Sequence, residues 1–247
     1  MENFKDQIAF VTGASSGIGK SVAVSLAERG ATVCLVARRL ELLKEVAATE
    51  RVPCKSLHPY ATDLTNTDEI SRLIAVVRDD FQHIDIIVHC AADYARGPIA
   101  SVPIAEFERL YRINVLAPYA LTQGLLPVLR PQCGQIVFVN SSAGLAAPED
   151  LSQYAATKHA LKAIADSLRR EVNKYGIRVL SLYLGRTATP LQEAVHLMEH
   201  KPYRPENLMQ AEDVATVIIN ALSLPRSAEI TEIQMRQLRQ SSGGEPQ

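Results

Sequence analysis

Hydrophobic positions in this chain fall into short apolar runs that alternate with stretches of helical spacing. The first run, residues 7–12 (QIAFVT), is β-branched and aromatic and ends at Gly13, which predicts a buried strand. Beyond it Ile18, Val22 and Leu26 recur at one-turn spacing, so 18–29 predicts a helix that stops at Gly30. The alternation continues along the chain. Residues 32–37, 54–60, 84–90, 135–140, 177–183 and 229–235 read as strands, and 40–48, 67–81, 103–129, 152–175 and 212–222 as helices. Residues 189–209 read as irregular and polar. Strands alternating with helices predict right-handed crossovers and an α/β, doubly wound, three-layer sandwich around a mainly parallel seven-stranded sheet. No Gly/Ser/Pro-rich linker interrupts the pattern. One domain is expected over 1–240, with the tail 241–247 (SSGGEPQ) disordered.

Composition narrows the function. With 247 residues and 47% hydrophobic positions the chain can bury a sizeable core without a disulfide or metal staple. A net charge of −1, from 26 basic and 27 acidic residues, leaves no footprint for nucleic acid or an anionic membrane. Cys34, Cys54, Cys90 and Cys133 are widely spaced and form no CxxC pair, so free thiols are expected and no metal site. No signal peptide and no run of about 18 apolar residues occurs. The expectation is a soluble cytoplasmic protein.

Two stretches carry chemistry. Residues 12–19 read TGASSGIG between a predicted strand and a predicted helix. Gly13 suits a tight turn, Gly17 a close backbone approach to a pyrophosphate, and Gly19 close packing of helix on sheet; the helix N-terminus supplies free N–H groups. The second stretch is 141–158, SSAGLAAPEDLSQYAATK. Tyr154 and Lys158 lie one helical turn apart on one face, and Ser141 stands thirteen residues upstream of the tyrosine. A phenol beside an ammonium makes a proton donor suited to neutral pH.

In this order, TGASSGIG, Asp63-Leu64, Asn114, Ser141, and Tyr154 with Lys158 resemble the short-chain dehydrogenase/reductase family in its single-domain form of about this length. The resemblance covers nearly the whole chain. It implies a Rossmann-type fold, a nicotinamide cofactor and hydride transfer between that cofactor and a carbonyl or secondary alcohol. It implies that Tyr154 is the general acid or base, that Ser141 rather than Ser142 donates to the substrate oxygen, and that Lys158 binds the nicotinamide ribose and lowers the pKa of the phenol. Asn114 matches the residue that holds a water beside Lys158; a polar residue bending the helix is the alternative. Asp63 and Leu64 are implied at the adenine, although Asp63 also fits a helix cap before Thr67. Gly13, Ser15, Ser16, Gly17, Ile18, Gly19, Cys90, Ala91, Gly185, Thr187 and Thr189 complete the implied cofactor site.

The second predicted strand ends at Ala37-Arg38-Arg39, where an NAD-preferring site usually carries an acid. A guanidinium can pair with a 2′-phosphate that a carboxylate would repel, so the expectation is NADP(H), with Arg38 the main contact, Arg39 beside it, and NAD(H) the lesser choice.

Two departures from the family pattern stand out. His89-Cys90-Ala91-Ala92 replaces the usual Asn-Asn-Ala-Gly, and Leu184-Gly185 replaces Pro-Gly. His89 ends an apolar strand and reads as structural; Cys90 reads as an inert buried thiol. Specificity is expected from 93–100 and from 189–209, a lid carrying His196, His200, Lys201, Tyr203 and Arg204. The resemblance also implies a homodimer or homotetramer through 103–129 and 152–175. A non-catalytic nucleotide sensor, and an epimerase or dehydratase, are the competing readings. A sensor need not keep the full Ser141, Tyr154 and Lys158 set, and the epimerases and dehydratases carry a larger C-terminal region.

Overall fold

The structure, a computed structural model, describes residues 4–49, 52, 56–131 and 133–238. The predicted tail at 241–247 and Cys54, the start of the third predicted strand, lie outside them. Strands and helices follow the predicted alternation: β1 (Ile8–Thr12), α1 (Gly17–Ala27), β2 (Thr32–Ala37), α2 (Leu40–Ala47), β3 (Leu57–Ala61), α3 (Thr67–Asp80), β4 (Ile86–His89), α4 (Ile104–Tyr111), α5 (Ala117–Leu125), β5 (Gln135–Ser141), α6 (Ser152–Val172), β6 (Arg178–Leu184), α7 (Pro190–Met198), α8 (Ala211–Leu222) and β7 (Glu232–Met235).

The seven strands form one sheet in the order β3-β2-β1-β4-β5-β6-β7, and every pairing is parallel. Successive side chains along each strand enter opposite layers. Ala9 and Val11, Val33 and Leu35, and Val137 and Val139 face one core with α1, α2 and α8. Phe10, Cys34 and Val36, and Ile136 and Phe138 face the other with α3, α5 and α6. Both faces of the central strands β1, β2, β4, β5 and β6 are covered, so these are largely apolar, whereas the edge strands β3 and β7 alternate in exposure; each fully buried aliphatic side chain contributes roughly 1.5–3 kcal/mol.

Two expectations change. The helix predicted over 103–129 is broken by a π-turn at Arg112–Leu116, between α4 and α5. Residues 189–209 are not irregular: they contain α7, started by the Thr189 hydroxyl accepting from Gln192 N at 3.1 Å with Pro190 in the first turn.

The chain order reverses between β1 and β4, whose successors leave toward opposite sides of the sheet. That reversal opens a crevice at the carboxyl ends of the central strands. A third apolar cluster, containing Tyr94, Leu110, Ala143, Tyr154 and Val195, closes over one part of it. No helix among the described residues is long and apolar enough to cross a membrane.

Candidate active site

β1 runs into Gly13, whose φ of +67° lies in the left-handed region. A Cβ there would stand 2.9 Å from Ala91 N, so the turn presses against the end of β4. A Cβ on Gly19 would stand 2.4 Å from the Gly13 carbonyl oxygen, which is why α1 can start directly over the turn. Ser16 caps α1 in an extended conformation without a side-chain bond to the helix, and the first turn carries no acid. The first N–H groups of α1 thus face the crevice with an uncancelled partial positive charge.

A cavity of ≈ 350 Å³ extends from this turn, past the exposed Arg38 and Arg39, to Asp63 and Leu64. Ser15, Ser16, Gly17, Ile18, Cys90, Ala91 and Thr189 also line it. Ala37 ends β2 without a carboxylate. Asp63 does not cap α3, as its position before Thr67 allowed. Asn66 does, accepting from Asp68 N and Glu69 N, while Asp63 Oδ1 closes its own turn on Thr65 N at 2.9 Å. Leu64 is 4% exposed, with its side chain in the core below. At the end of β4 the backbone N–H groups of Cys90 and Ala91 both donate to Thr12 Oγ1 at 3.1 Å. Thr12 therefore ties the end of β4 to the end of β1 through the backbone of residues 90 and 91.

A second cavity, ≈ 400 Å³, opens from the first through Ile18, Cys90, Ala92 and Thr189. Ser141, Tyr154 and Lys158 line it together. Ser141 ends β5 and accepts from Ala143 N at 3.2 Å, while its hydroxyl hydrogen-bonds with the Tyr154 phenol. Ser142 lines the same cavity, is exposed and starts the next turn. Tyr154 and Lys158 come from the first two turns of α6, and the lysine Nζ stands 5.6 Å from the phenol ring centroid.

Burial acts on this pair against the sequence expectation. It pushes the Tyr154 phenol up to about 12 rather than down, because the ring is desolvated; only the nearby Ser141 favours the phenolate. Burial also pulls the Lys158 ammonium down to about 8, against the small opposing influence of Cys90. Cys90 is itself pushed up to about 12 by burial, which leaves an inert thiol. His89 is buried, meets Thr122 Oγ1 at 2.9 Å, stacks on Phe138 and is lowered by burial to about 3. It is a neutral structural side chain.

Asn114 sits within the π-turn and is 1% exposed. Its Oδ1 accepts from Asp93 N at 2.9 Å, and its Nδ2 donates to Asp93 O at 3.0 Å and Thr157 Oγ1 at 3.1 Å. It thus pins the loop after β4 to α6 at Thr157, the residue next to Lys158. π-turns of this kind recur at functional sites.

Three features of the site were not read from the sequence. Asn140 clamps β5 to α6, donating to the Lys158 carbonyl oxygen at 3.1 Å. Tyr94 packs its ring 4.9 Å from that of Tyr154. Glu199, just past α7, is buried to 4% side-chain exposure and holds Arg186 at 2.7 Å, Arg96 at 2.9 Å and Lys201 at 3.4 Å. The polar context of Glu199 disguised its burial. Gly185, Thr187 and Thr189 lie along the same wall, with Thr187 buried and Thr189 between the two cavities. Of the lid residues named from sequence, His196 is buried and bonded to Gln192 O, whereas Lys201 and Arg204 are exposed. Among the described residues no group of His, Cys, Asp and Glu could hold a metal ion.

This arrangement of fold, glycine turn and Ser-Tyr-Lys cluster is matched by known proteins. The short chain dehydrogenase family matches residues 7–200, and the chain belongs to that family of oxidoreductases. It is 30% identical over 237 residues to an uncharacterized oxidoreductase of Staphylococcus epidermidis, covering 96% of this chain and 99% of the relative. Among solved structures it resembles the short-chain dehydrogenase from Shigella flexneri at 27% identity and a TM-score of 0.83, covering 94% and 92% of the two chains. A metagenomic short-chain oxidoreductase in complex with NADP aligns at 27% identity and a TM-score of 0.80, covering 96% of this chain and all of that one (100%).

Proposed function

We propose that this protein is an NADP(H)-dependent oxidoreductase that transfers a hydride between the nicotinamide and a carbonyl or secondary alcohol, with Tyr154 as general acid or base. The observation that carries this reading is the junction of the two cavities: one lined by a glycine turn, a helix N-terminus and two arginines, the other by Ser141, Tyr154 and Lys158. The first cavity suits a dinucleotide, because free N–H groups at α1 favour a pyrophosphate and the wall after Ala37 carries guanidinium groups instead of an acid. The NADP bound by the metagenomic relative supports the same choice.

Bound in that groove, the nicotinamide supplies or takes up the hydride. The protein handles the proton. A Tyr154 phenol raised to about 12 is protonated at neutral pH, as proton delivery to a reduced carbonyl oxygen requires. Ser141 donates to that oxygen as charge builds on it. The Lys158 ammonium binds ribose hydroxyls and stabilises the phenolate left after transfer. Asn114 fixes the loop and helix that hold Lys158, and Thr189 and Gly185 flank the nicotinamide. Exposed Tyr111, Leu116 and Tyr119 on α4–α5 support a homo-oligomer through that face.

The test is NADPH consumption, followed by its near-ultraviolet absorbance, against a panel of aldehydes and ketones, with cofactor binding measured in parallel. Turnover with NADPH in preference to NADH is expected. Tight NADPH binding with no turnover on any carbonyl would instead support a nucleotide sensor.

A further inference from the structure

We infer that the substrate carries a carboxylate, and that Arg186 recognises it; this rests on the carbonyl-reductase reading above. The ring of Tyr94 lies 4.9 Å from that of Tyr154 and forms the wall of the second cavity. The Glu199 cluster reaches Tyr94: Arg96 hydrogen-bonds with its phenol, and the charges of Glu199, Arg96 and Arg186 bear on it. Arg186 and Glu199 line the same cavity as Tyr154.

Its charge does not balance. Arg96, Arg186 and Lys201 surround the single Glu199 carboxylate, and among the described residues the only further acid paired with these cations is Asp150, 3.7 Å from Arg96. Three cations against two carboxylates leave a net positive charge beside a cavity that also contains Lys158. Glu199 is not open to a cationic substrate, since both of its oxygens are taken: Oε1 by Arg96 and Arg186, Oε2 by Arg186 and Lys201.

Arg186 has donors to spare. Its Nη2 alone serves both Glu199 oxygens, at 2.8 and 2.7 Å, and Nη1 makes a long 3.4 Å approach to His196 Nε2. Among the described residues no acceptor meets its Nε–H. The side chain is 34% exposed and lines the cavity, so the guanidinium is fixed by a buried carboxylate while part of it faces the substrate space. A guanidinium held in this way has lost its rotamer entropy in advance and gains a charge-assisted hydrogen bond from an anion. Glu199 acts through Arg186 as a positioning residue.

The experiment compares 4-formylbenzoate with its neutral isostere 4-formylbenzamide, using NADPH, for wild type, Arg186→Met, Arg186→Lys and, as a remote surface control, Lys174→Met. Thermal unfolding and NADPH binding confirm that each variant is folded. The wild type should favour the carboxylate about ten- to hundredfold in kcat/KM, mostly through KM. In Arg186→Met the ratio should fall to near one, Arg186→Lys should recover part of it, and Lys174→Met should retain it. Calorimetric binding of 4-formylbenzoate to the NADP-loaded protein reads the same contact without turnover, and should weaken in Arg186→Met. Carboxylate binding lost in Arg186→Met with no turnover of either aldehyde would uphold the anion site and count against the reductase reading. Turnover of both aldehydes at a ratio that Arg186→Met does not alter, or wild-type binding of the carboxylate no tighter than that of the amide, would overturn the inference.

Discussion

Asn140 holds Lys158 by its backbone: the asparagine Nδ2 donates to the Lys158 carbonyl oxygen at 3.1 Å while its Oδ1 accepts from Ser141 N at 2.8 Å. One buried amide thus sets the distance between the end of β5, which presents Ser141, and the helix that presents Tyr154 and Lys158. Gly144 leaves room for it, since a Cβ there would stand 2.9 Å from Asn140 Oδ1 and 3.0 Å from Lys158 O. Gly144→Ala should therefore cost about 1–3 kcal/mol by overpacking, lowering the Tm by roughly 2–4 °C per kcal/mol. Carbonyl reduction should fall at the same time. Thermal unfolding and steady-state kinetics check both.

Arg38 lines the cofactor cavity at the point where β2 has ended without an acid. Arg38→Ala should reduce the preference for NADPH over NADH by about tenfold, the worth of one exposed charge-assisted contact. The comparison of kcat/KM for the two cofactors reads it directly. An unchanged ratio would remove Arg38 from the 2′-phosphate site.

Burial of Lys158 gives a pH signature. Its folded value of about 8 lies below the ordinary lysine value of 10.5. Between those values the unfolded chain binds more protons at this group, so its contribution to stability rises with pH and is complete above the upper value. Lys158→Met should flatten that part of the stability profile. The sign for activity is opposite: as pH climbs through about 8 Lys158 loses its charge, and kcat/KM for reduction should decline. The pH dependence of kcat/KM, measured beside denaturation curves at matched pH, separates the two effects.

Much of this geometry was legible in the sequence, and what was not has identifiable causes. The apolar runs located the central strands, because a parallel sheet covered on both faces keeps those positions apolar, while the half-exposed edge strands β3 and β7 gave weaker, mixed runs. The spacing of Ser141, Tyr154 and Lys158 brought those three residues to one cavity. The π-turn around Asn114 was hidden, since one extra residue per turn does not alter the apolar pattern over 103–129. α7 was hidden by its polar surroundings, although Thr189, Pro190 and Glu193 form an ordinary helix start. Asn140 and Glu199 are contacts across long sequence separations. A glutamate in a polar stretch reads as solvated until the fold brings Arg96, 103 residues away, against it.

Glu199 joins the segment after α7 to Arg96 in the loop after β4 and to Arg186 after β6. Glu199→Gln should loosen that junction. The arginines are partly exposed, so the cost should be about 1–2 kcal/mol rather than the larger figure of a fully buried pair. A lower Tm, faster proteolysis within 190–209 and a higher KM for carbonyl substrates are expected. Limited proteolysis followed by mass spectrometry locates the cut.

The most direct measurement is the turnover of Tyr154→Phe in the presence of NADPH and a carbonyl substrate that the wild type reduces. The substitution keeps the ring that packs on Tyr94 and removes only the phenolic hydroxyl. NADPH binding should persist at wild-type strength while kcat falls to the level of the blank. Turnover retained within a few-fold of wild type would contradict the assignment of Tyr154 as the proton donor.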